Sequence, residues 1–205
     1  MKISLKNTGK RYNREWIFRY IDLDLIPGRS YAITGPNGSG KSTLLQVIAG
    51  AIQHNEGTIT YENNKLIETP HQYLSLAAPY IELIEEMTAT ELLRFHATFK
   101  PLIKPVREIL KETGLEKAAD KQICYFSSGM KQRLKLAQAI FSNVPVLLLD
   151  EPTTNLDTDG IEVYQRLIRN YATEKLVLVS SNDKLEYEFC QEIISINDYK
   201  KVVPE

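Results

Sequence analysis

The chain has 205 residues, of which 43% are hydrophobic and 25% are charged. This length supports one well-buried core with a smaller lobe and excludes two full independent domains. With 25 basic against 26 acidic side chains the net charge is -1, so no overall field attracts nucleic acid or anionic lipid, and any partner must be recognised by a local surface.

The start of the chain carries charges but no continuous apolar segment, so we expect no secretory signal. The longest apolar run, Val146–Leu149, is far too short to span a bilayer. Cys124 and Cys190 lack the spacing of a metal or redox site. We therefore expect a cytoplasmic chain with two reduced thiols that have no functional role.

Most of the first 80 residues are predicted to form strands. The β-rich or alternating runs, mostly bounded by Gly, Pro or Asn, are Ile3–Leu5, Trp16–Ile26, Ser30–Thr34, Thr58–Tyr61 and Tyr73–Leu76. A helix is predicted over Thr43–Ala49. Further on, Thr88 and Glu91 form a capping-box pattern ahead of an apolar helical run, and Val106–Thr113 predicts another helix.

The second half of the chain alternates helices with strands. Apolar residues at helical spacing from Ser127 onward predict an amphipathic helix, which the strand Val146–Leu149 follows. A helix over Ile161–Tyr171 and a strand over Leu176–Val179 come next. This alternation indicates a mainly parallel α/β sheet, with a helical insertion at about residues 85–144.

Residues 35–43, Gly-Pro-Asn-Gly-Ser-Gly-Lys-Ser-Thr, fit the phosphate-loop pattern G-x-x-x-x-G-K-[ST] between a predicted strand and a predicted helix. The three glycines permit a tight turn that aims amide N–H groups at phosphate oxygens, and the helix adds its positive end. Lys41 would neutralise the β- and γ-phosphates, and the Ser42 hydroxyl would ligate Mg²⁺. A glycine-rich turn that binds nothing would leave both side chains unexplained.

Asp150 and Glu151 end the apolar strand that begins at Val146. A buried parallel strand delivers them to the carboxyl edge of the sheet, where ligands bind in open α/β folds. Asp150 can hold Mg²⁺ through its water shell, and Glu151 is placed to orient and activate the attacking water. Alone, an acidic pair after a strand is more often a solvated strand end; beside a phosphate loop, the catalytic interpretation is favoured.

Three segments stand in order along the chain: GPNGSGKST at 35–43, FSSGM at 126–130 and LLLDEPTTNLD at 147–157. Together they resemble the nucleotide-binding subunit of ATP-binding cassette (ABC) transporters, over essentially the whole chain. The resemblance implies an α/β P-loop NTPase core with a mainly parallel sheet, an N-terminal antiparallel β portion and an inserted helical subdomain. It implies a single domain, with the core at about 1–84 and 145–205 and the helical subdomain at about 85–144.

In that family two subunits face each other head to tail, and ATP lies between the phosphate loop of one and the signature segment of the other, which corresponds to residues 126–130 in this chain. By resemblance, Tyr12 stacks on adenine, Ser127 contacts the partner's γ-phosphate and Asp157 couples the two sites. The residues implied to bind ATP are Tyr12, Gly35, Pro36, Asn37, Gly38, Ser39, Gly40, Lys41, Ser42, Thr43, Ser127, Ser128, Gly129 and Asp157. A partly buried strand-end Tyr12, and helix caps at Ser127 and Asp157, are the simpler alternatives.

Two departures from the family pattern bear on catalysis, and a milder one places Ser128 and Met130 where the family often has glycine and glutamine. The family usually has a glutamine near Ala77, but Ala77 and Ala78 have no side chain that ligates a metal. Asn182 stands where a histidine usually contacts the γ-phosphate; its amide can donate a hydrogen bond but cannot carry a proton charge. The resemblance thus gives Lys41, Glu151 and Asn182 catalytic roles, and the two substitutions predict slow hydrolysis.

The resemblance implies an Mg²⁺-dependent ATPase that dimerises on ATP, with an identical or different cassette, and drives a separate transmembrane permease from the cytoplasmic face of the cell membrane. Residues 72–105, with apolar Tyr80, Ile81, Leu83 and Ile84, would offer the docking groove, although these residues suit an ordinary helical core equally. No nucleic-acid partner is expected. A soluble ABC ATPase acting on nucleic acid or ribosomes and a regulator that binds ATP without hydrolysing it remain as alternatives.

Overall fold

The computed structural model describes residues 1–200, which contain eight strands and six helices. The strands are β1 (Lys2–Tyr12), β2 (Glu15–Leu25), β3 (Ser30–Thr34), β4 (Glu56–Glu62), β5 (Leu74–Ala77), β6 (Val146–Asp150), β7 (Leu176–Ser180) and β8 (Glu192–Ser195). The helices are α1 (Lys41–Ile48), α2 (Ala89–Ala97), α3 (Val106–Glu112), α4 (Ser128–Ile140), α5 (Thr158–Tyr171) and α6 (Lys184–Tyr187). None of these helices is both long and apolar enough to cross a membrane.

The strands form two sheets. Five parallel strands lie in the order β5-β6-β7-β3-β8, and β2, β1 and β4 form an antiparallel sheet with β1 in the centre. Helices α2, α3 and α4 lie between β5 and β6 in the chain. The predicted fold class is confirmed: an α/β P-loop NTPase core with a mainly parallel sheet, an N-terminal antiparallel portion and an inserted helical subdomain.

Strands β6 and β7 are apolar because both of their faces are covered. All residues of both strands are buried. Leu147 and Leu149 pack into an apolar cluster with the helical insertion and α5. Val146 and Leu148 point into a second cluster with α1 and the antiparallel sheet. A parallel strand between two covered layers has no need for alternating polar residues.

Strand β1 is longer than the predicted Ile3–Leu5 because neighbours pair with it on both sides. Its partners are β2 and β4, with irregular register between Leu5 and Arg11. Thr8 and Lys10 are buried although they are polar. Main-chain pairing satisfies the backbone groups of a central strand whatever its side chains are, so hydrophobic alternation is lost while the strand continues.

The helical insertion begins as predicted. Thr88 is the N-cap of α2, and its side chain and that of Glu91 make both hydrogen bonds of a capping box. Elements α6 and β8 were not predicted from the sequence. Each has only four residues, which is too short for a periodic pattern to be distinguished.

Candidate nucleotide-binding site

Three neighbouring parallel strands end at the same edge of the sheet, and each is followed by predicted site residues. The phosphate loop follows β3, Glu151 follows β6, and Asn182 comes two residues after the end of β7. Strands β6, β7 and β3 are direct neighbours. This carboxyl edge is where open α/β sheets bind their ligands.

The phosphate loop passes into helix α1 through Gly40, which has φ 102°. A Cβ atom at this position would lie 2.3 Å from Ile17 Cγ2, so a side chain is excluded by both conformation and space. Gly40 is the N-cap of α1 and supplies no side-chain cap. The amide groups that begin this helix therefore remain available to an anion.

Lys41 is buried at the base of this loop. Its Nζ donates hydrogen bonds to the main-chain oxygens of Gly35, at 2.9 Å, and Pro36, at 3.3 Å. A pocket of about 220 Å³ lies against the loop, lined by residues 37–43 together with Ile17 and Glu151. The loop thus holds its own lysine beside the pocket, where an ammonium group suits a polyphosphate.

Asp150 is the last residue of β6 and is 1% exposed. Among the described residues, its Oδ1 has no hydrogen-bond partner, and neither has Oγ of Ser180, its register partner on β7. A buried carboxylate oxygen without a partner is costly unless it meets a cation or water. Asp150 therefore fits a Mg²⁺ site; Mg²⁺ keeps several waters and needs only one or two protein carboxylates. No group of three or more His, Cys, Asp or Glu side chains within residues 1–200 forms an alternative metal site.

Glu151 begins the turn after β6 with φ 43°, which is unusual for a residue with a side chain. Its amide donates to the Ser180 oxygen at 2.9 Å. This bond fixes the turn to the neighbouring strand, and the Glu151 side chain lines the phosphate-loop pocket.

Asn182 binds the phosphate loop through both ends of its amide. Its Oδ1 accepts from Gly35 N at 3.2 Å, and its Nδ2 donates to Asn37 Oδ1 at 3.1 Å. The side chain is nevertheless exposed. Asn182 therefore contacts Gly35 and Asn37 of the phosphate loop, but it does not itself line the pocket.

Two alanines, Ala77 and Ala78, stand at the end of β5, where the family pattern usually has a glutamine. Ala77 is the register partner of Leu149, Ala78 follows it just after β5, and both alanines are buried. Tyr80 lies near Gln46 of α1 and near the Asp150 carboxylate. Partial burial raises the pKa of Tyr80 to about 12, with the Asp150 carboxylate contributing in the same direction and the Gln46 contact opposing it. From the sequence, Tyr80 is expected only in a docking surface, and its position near Gln46 and Asp150 is not predicted.

The signature segment and the helix that it begins pack against the loop formed by residues 152–157. Ser127 and Ser128 are exposed, and Ser127 Oγ caps helix α4 by accepting from Met130 N at 3.2 Å. A Cβ atom at Gly129 would lie 3.0 Å from the Asn155 main-chain oxygen. The same helix contacts the loop again where Gln132 Nε2 donates to Pro152 O at 2.8 Å.

The signature segment and the 152–157 loop form a second group of predicted site residues, to which Asp157 also belongs. It caps α5 by accepting from Gly160 N at 2.8 Å, and its Oδ1 lies 3.7 Å from Arg133 Nη2. The N-cap alternatives for Ser127 and Asp157 are therefore both present in the structure. None of the residues in this group lines the phosphate-loop pocket, so the predicted site residues form two separate groups in the described chain.

Tyr12 ends β1 and is 46% exposed. Lys10 Nζ lies 5.0 Å from the centre of its ring. Ile17, from the paired strand β2, lines the phosphate-loop pocket. Tyr12 itself does not line it, although its exposed ring is free to stack on a planar ligand.

The family profile described as "ABC transporter" matches residues 18–154, more than half of the chain. The lantibiotic transport ATP-binding protein SrtF of Streptococcus pyogenes is 29% identical, covering 99% of this chain and 90% of SrtF. The linearmycin resistance ATP-binding protein LnrL of Bacillus subtilis (strain 168) is 30% identical, covering 98% of this chain and 68% of LnrL.

Solved structures give the same relationship. The dimeric structure of MJ0796, a bacterial ABC transporter cassette, is similar with a TM-score of 0.81 and 28% identity, covering 94% of this chain and 93% of that one. A post-hydrolysis state of the same cassette, bound to ADP and Pi, is similar with a TM-score of 0.81 and 26% identity over the same shares. The chain thus belongs to the ABC transporter family and is an ATP-binding subunit of it.

Proposed function

We propose that the chain is an Mg²⁺-dependent ATPase that dimerises around two ATP molecules and drives a separate transmembrane permease. One observation carries the proposal: the pocket formed by residues 37–43 also contains Glu151, which directly follows Asp150, whose buried Oδ1 has no hydrogen-bond partner among the described residues. A phosphate loop, a metal-binding oxygen and a potential general base thus meet at one edge of the sheet.

The chain's own groups have distinct parts in the proposed reaction. The amides at the start of α1 and the Lys41 ammonium bind and orient the phosphates. Ser42 and Asp150 would hold Mg²⁺, which when bound neutralises charge on the phosphate oxygens. Glu151 orients the attacking water and accepts its proton, and Asn182 donates a hydrogen bond at the γ-phosphate. Because asparagine stands at position 182, where the family usually has histidine, and alanine stands where it usually has glutamine, we infer slow hydrolysis.

The second group of residues supports a dimer. Ser127 and Ser128 begin helix α4 at the surface, away from the chain's own phosphate-loop pocket. We infer that they and Gly129 complete the ATP site of a facing cassette, while Asp157 lies between the two sites and Tyr12 stacks on adenine. The dimeric arrangement of the MJ0796 cassette supports this inference.

A groove supports a permease partner on the cytoplasmic face of the membrane. A cavity of about 350 Å³ lies between α1, β5, α2 and α4, and Ile81 and His96 line it. Tyr80 and Ile84, between β5 and α2, and Phe99, just after α2, are exposed, which suits an apolar partner. Of the residues predicted from the sequence to form the groove at 72–105, Leu83 packs against the apolar core. We therefore leave Leu83 out of the proposed docking surface.

A Glu151→Gln substitution tests the proposal. The wild-type chain should hydrolyse Mg-ATP in a steady-state assay, and the variant should bind ATP normally but lose turnover. With ATP, the variant should elute at twice the monomer mass in size-exclusion chromatography. Equal turnover in both proteins would contradict the role of Glu151, and a variant that stays monomeric at high ATP and protein concentration would contradict homodimerisation.

A regulator that binds ATP without hydrolysing it is the second candidate. Ala77 and Asn182 favour it, since neither supplies the group that the family usually has there. The same assay separates the two functions: a wild-type chain that binds ATP but shows no Glu151-dependent turnover would be a regulator. Co-purification of a multi-helix membrane protein, rather than nucleic acid or ribosomes, would support the transport role.

A further inference from the structure

Glu186 is a buried acid that the proposed reaction does not use. It belongs to the short helix α6, which follows the Asn182 loop and is capped by Asp183. Its exposed fraction is only 3%. Acidic side chains are rarely buried to this extent unless specific partners hold them.

The partners of the Glu186 carboxylate come from the loop that follows Glu151. Glu186 Oε1 accepts two hydrogen bonds from Thr153, one from the amide at 2.6 Å and one from Oγ1 at 2.5 Å. Thr153 is in turn part of the turn that leads to Asp157, because its oxygen accepts from Leu156 N at 2.9 Å. The carboxylate therefore holds the middle of the 151–157 loop.

Glu186 is also tied to the loop that carries Asn182. The Glu186 amide donates to the Asp183 main-chain oxygen at 3.1 Å, and Ser181 Oγ accepts from Asp183 N at 2.8 Å. The main-chain oxygen of Glu186 accepts from the fully buried Tyr164 hydroxyl at 2.6 Å. One residue thus joins the Asn182 loop, the 151–157 loop and helix α5.

Opposing effects act on the pKa of the Glu186 carboxyl group. Burial raises the pKa of Glu186, while the nearby Ser181 side chain and the hydrogen bonds from Thr153 oppose this effect and the Asp183 charge adds to it. Removing the carboxylate would leave the Thr153 amide and hydroxyl without their acceptor. The loop after Glu151 would then be free to shift relative to the Asn182 loop.

We propose that Glu186 is a positioning residue for ATP hydrolysis, which keeps Glu151 in register with Asn182 by binding both loops. The proposal rests on the ATPase function proposed above. Glu186 does not line the phosphate-loop pocket, so its effect is on turnover rather than on ATP binding. Small displacements of catalytic groups slow a reaction strongly, because the reacting atoms must be held in a narrow range of geometry.

Kinetic variants of the Glu186–Thr153 pair test this proposal. We expect Glu186→Ala to lower kcat about tenfold, with KM for Mg-ATP within about twofold of the wild-type value. Glu186→Gln should recover most of the loss because its amide oxygen accepts the same two hydrogen bonds. Thr153→Val should lower kcat, Thr153→Ser should leave it near wild type, and the Glu186→Ala/Thr153→Val double variant should show no further loss.

Tyr164→Phe is the matched control. It removes the hydrogen bond to the main-chain oxygen of Glu186 but leaves the carboxylate, so it should reduce thermal stability without a comparable loss of kcat. If Glu186→Ala does not fold, Thr153→Val tests the same contact from the other side. Additive losses, or unchanged kcat in both Glu186→Ala and Thr153→Val, would overturn the proposal. Absence of Glu151-dependent turnover in the wild type would overturn the ATPase function instead.

Discussion

Two segments of this chain begin helices with small residues, and they differ in how they are completed. The phosphate loop before α1 has a glycine N-cap that leaves the first amides of the helix available. In the signature segment, Ser127 caps α4 itself by accepting from the Met130 amide. The phosphate loop faces a pocket within the chain, whereas Ser127 and Ser128 face solvent.

The difference shows what makes a phosphate site complete within one subunit. Lys41 is held on the oxygens of Gly35 and Pro36, and Asn182 binds both Gly35 and Asn37. A ligand therefore meets groups that are already ordered, and little entropy is lost on binding. The signature segment is capped by its own Ser127 and is exposed at Ser127 and Ser128, so we infer that a facing molecule supplies the rest of its site.

Lys41→Ala should give the largest effect. Loss of a charge-assisted contact to the phosphates should weaken ATP binding about 100-fold, as measured by titration calorimetry on the monomer. Lys175→Ala is the matched control, because this partly buried lysine also donates to two main-chain oxygens, those of Ile140 and Ser142. Undiminished ATP binding by Lys41→Ala would contradict the view that the first loop is complete in itself.

Ser127→Arg should weaken dimerisation without affecting ATP binding by the monomer. We expect ATP affinity of the monomer to stay within about threefold of wild type, because the substituted residue lies outside the phosphate-loop pocket. In a Glu151→Gln background, ATP-dependent dimerisation should weaken at least about tenfold, since a bulky cation would occupy the interface. The exposed Thr173→Arg is the control for added surface charge. If monomer binding is lost instead, the signature segment serves the chain's own nucleotide.

Asn182→His tests whether the residue at position 182 limits hydrolysis at the phosphate loop. A histidine reaches further and can carry a proton, so we expect steady-state turnover to rise by about tenfold. Asn182→Ala provides the comparison, because it removes both amide contacts with the phosphate loop. If the histidine variant turns over ATP at the wild-type rate or more slowly, Asn182 is not what limits hydrolysis.

The smallest effect is expected for Ser127→Ala. Loss of the N-cap hydrogen bond should lower the free energy of unfolding by about 1 kcal/mol, as measured by urea denaturation. The neighbouring Ser128→Ala should change it by less than about 0.5 kcal/mol, because this exposed residue is not the cap. Equal losses in the two variants would show that Ser127 is not acting as a cap in solution.

Features that a few adjacent residues determine could be predicted from the sequence. The capping box at Thr88 and the strand from Val146 follow from short patterns, and both are present in the structure. The phosphate loop is also local, since its glycines and Lys41 lie within seven residues. Such features need no knowledge of distant contacts.

The remainder of the candidate site depends on contacts between distant parts of the chain. Glu186 has an acidic side chain on a short polar helix, and nothing in its neighbours indicates that Thr153 will bury it. The approach of Gly129 to Asn155, and that of Tyr80 to Gln46, likewise arise only once the sheet and the insertion have packed. Burial of a polar residue by a remote partner leaves no periodic pattern to detect.

The left-handed backbone at Glu151 has a consequence for protein engineering. Holding a residue with a long side chain at φ 43° is less favourable than placing Gly or Asn there, by on the order of 1 kcal/mol. A redesign that ranks substitutions by stability alone would therefore select Gly or Asn at position 151. The product should resist heat better than the natural chain while having lost its proposed general base, so a screen for thermal tolerance would enrich for inactive variants at this position.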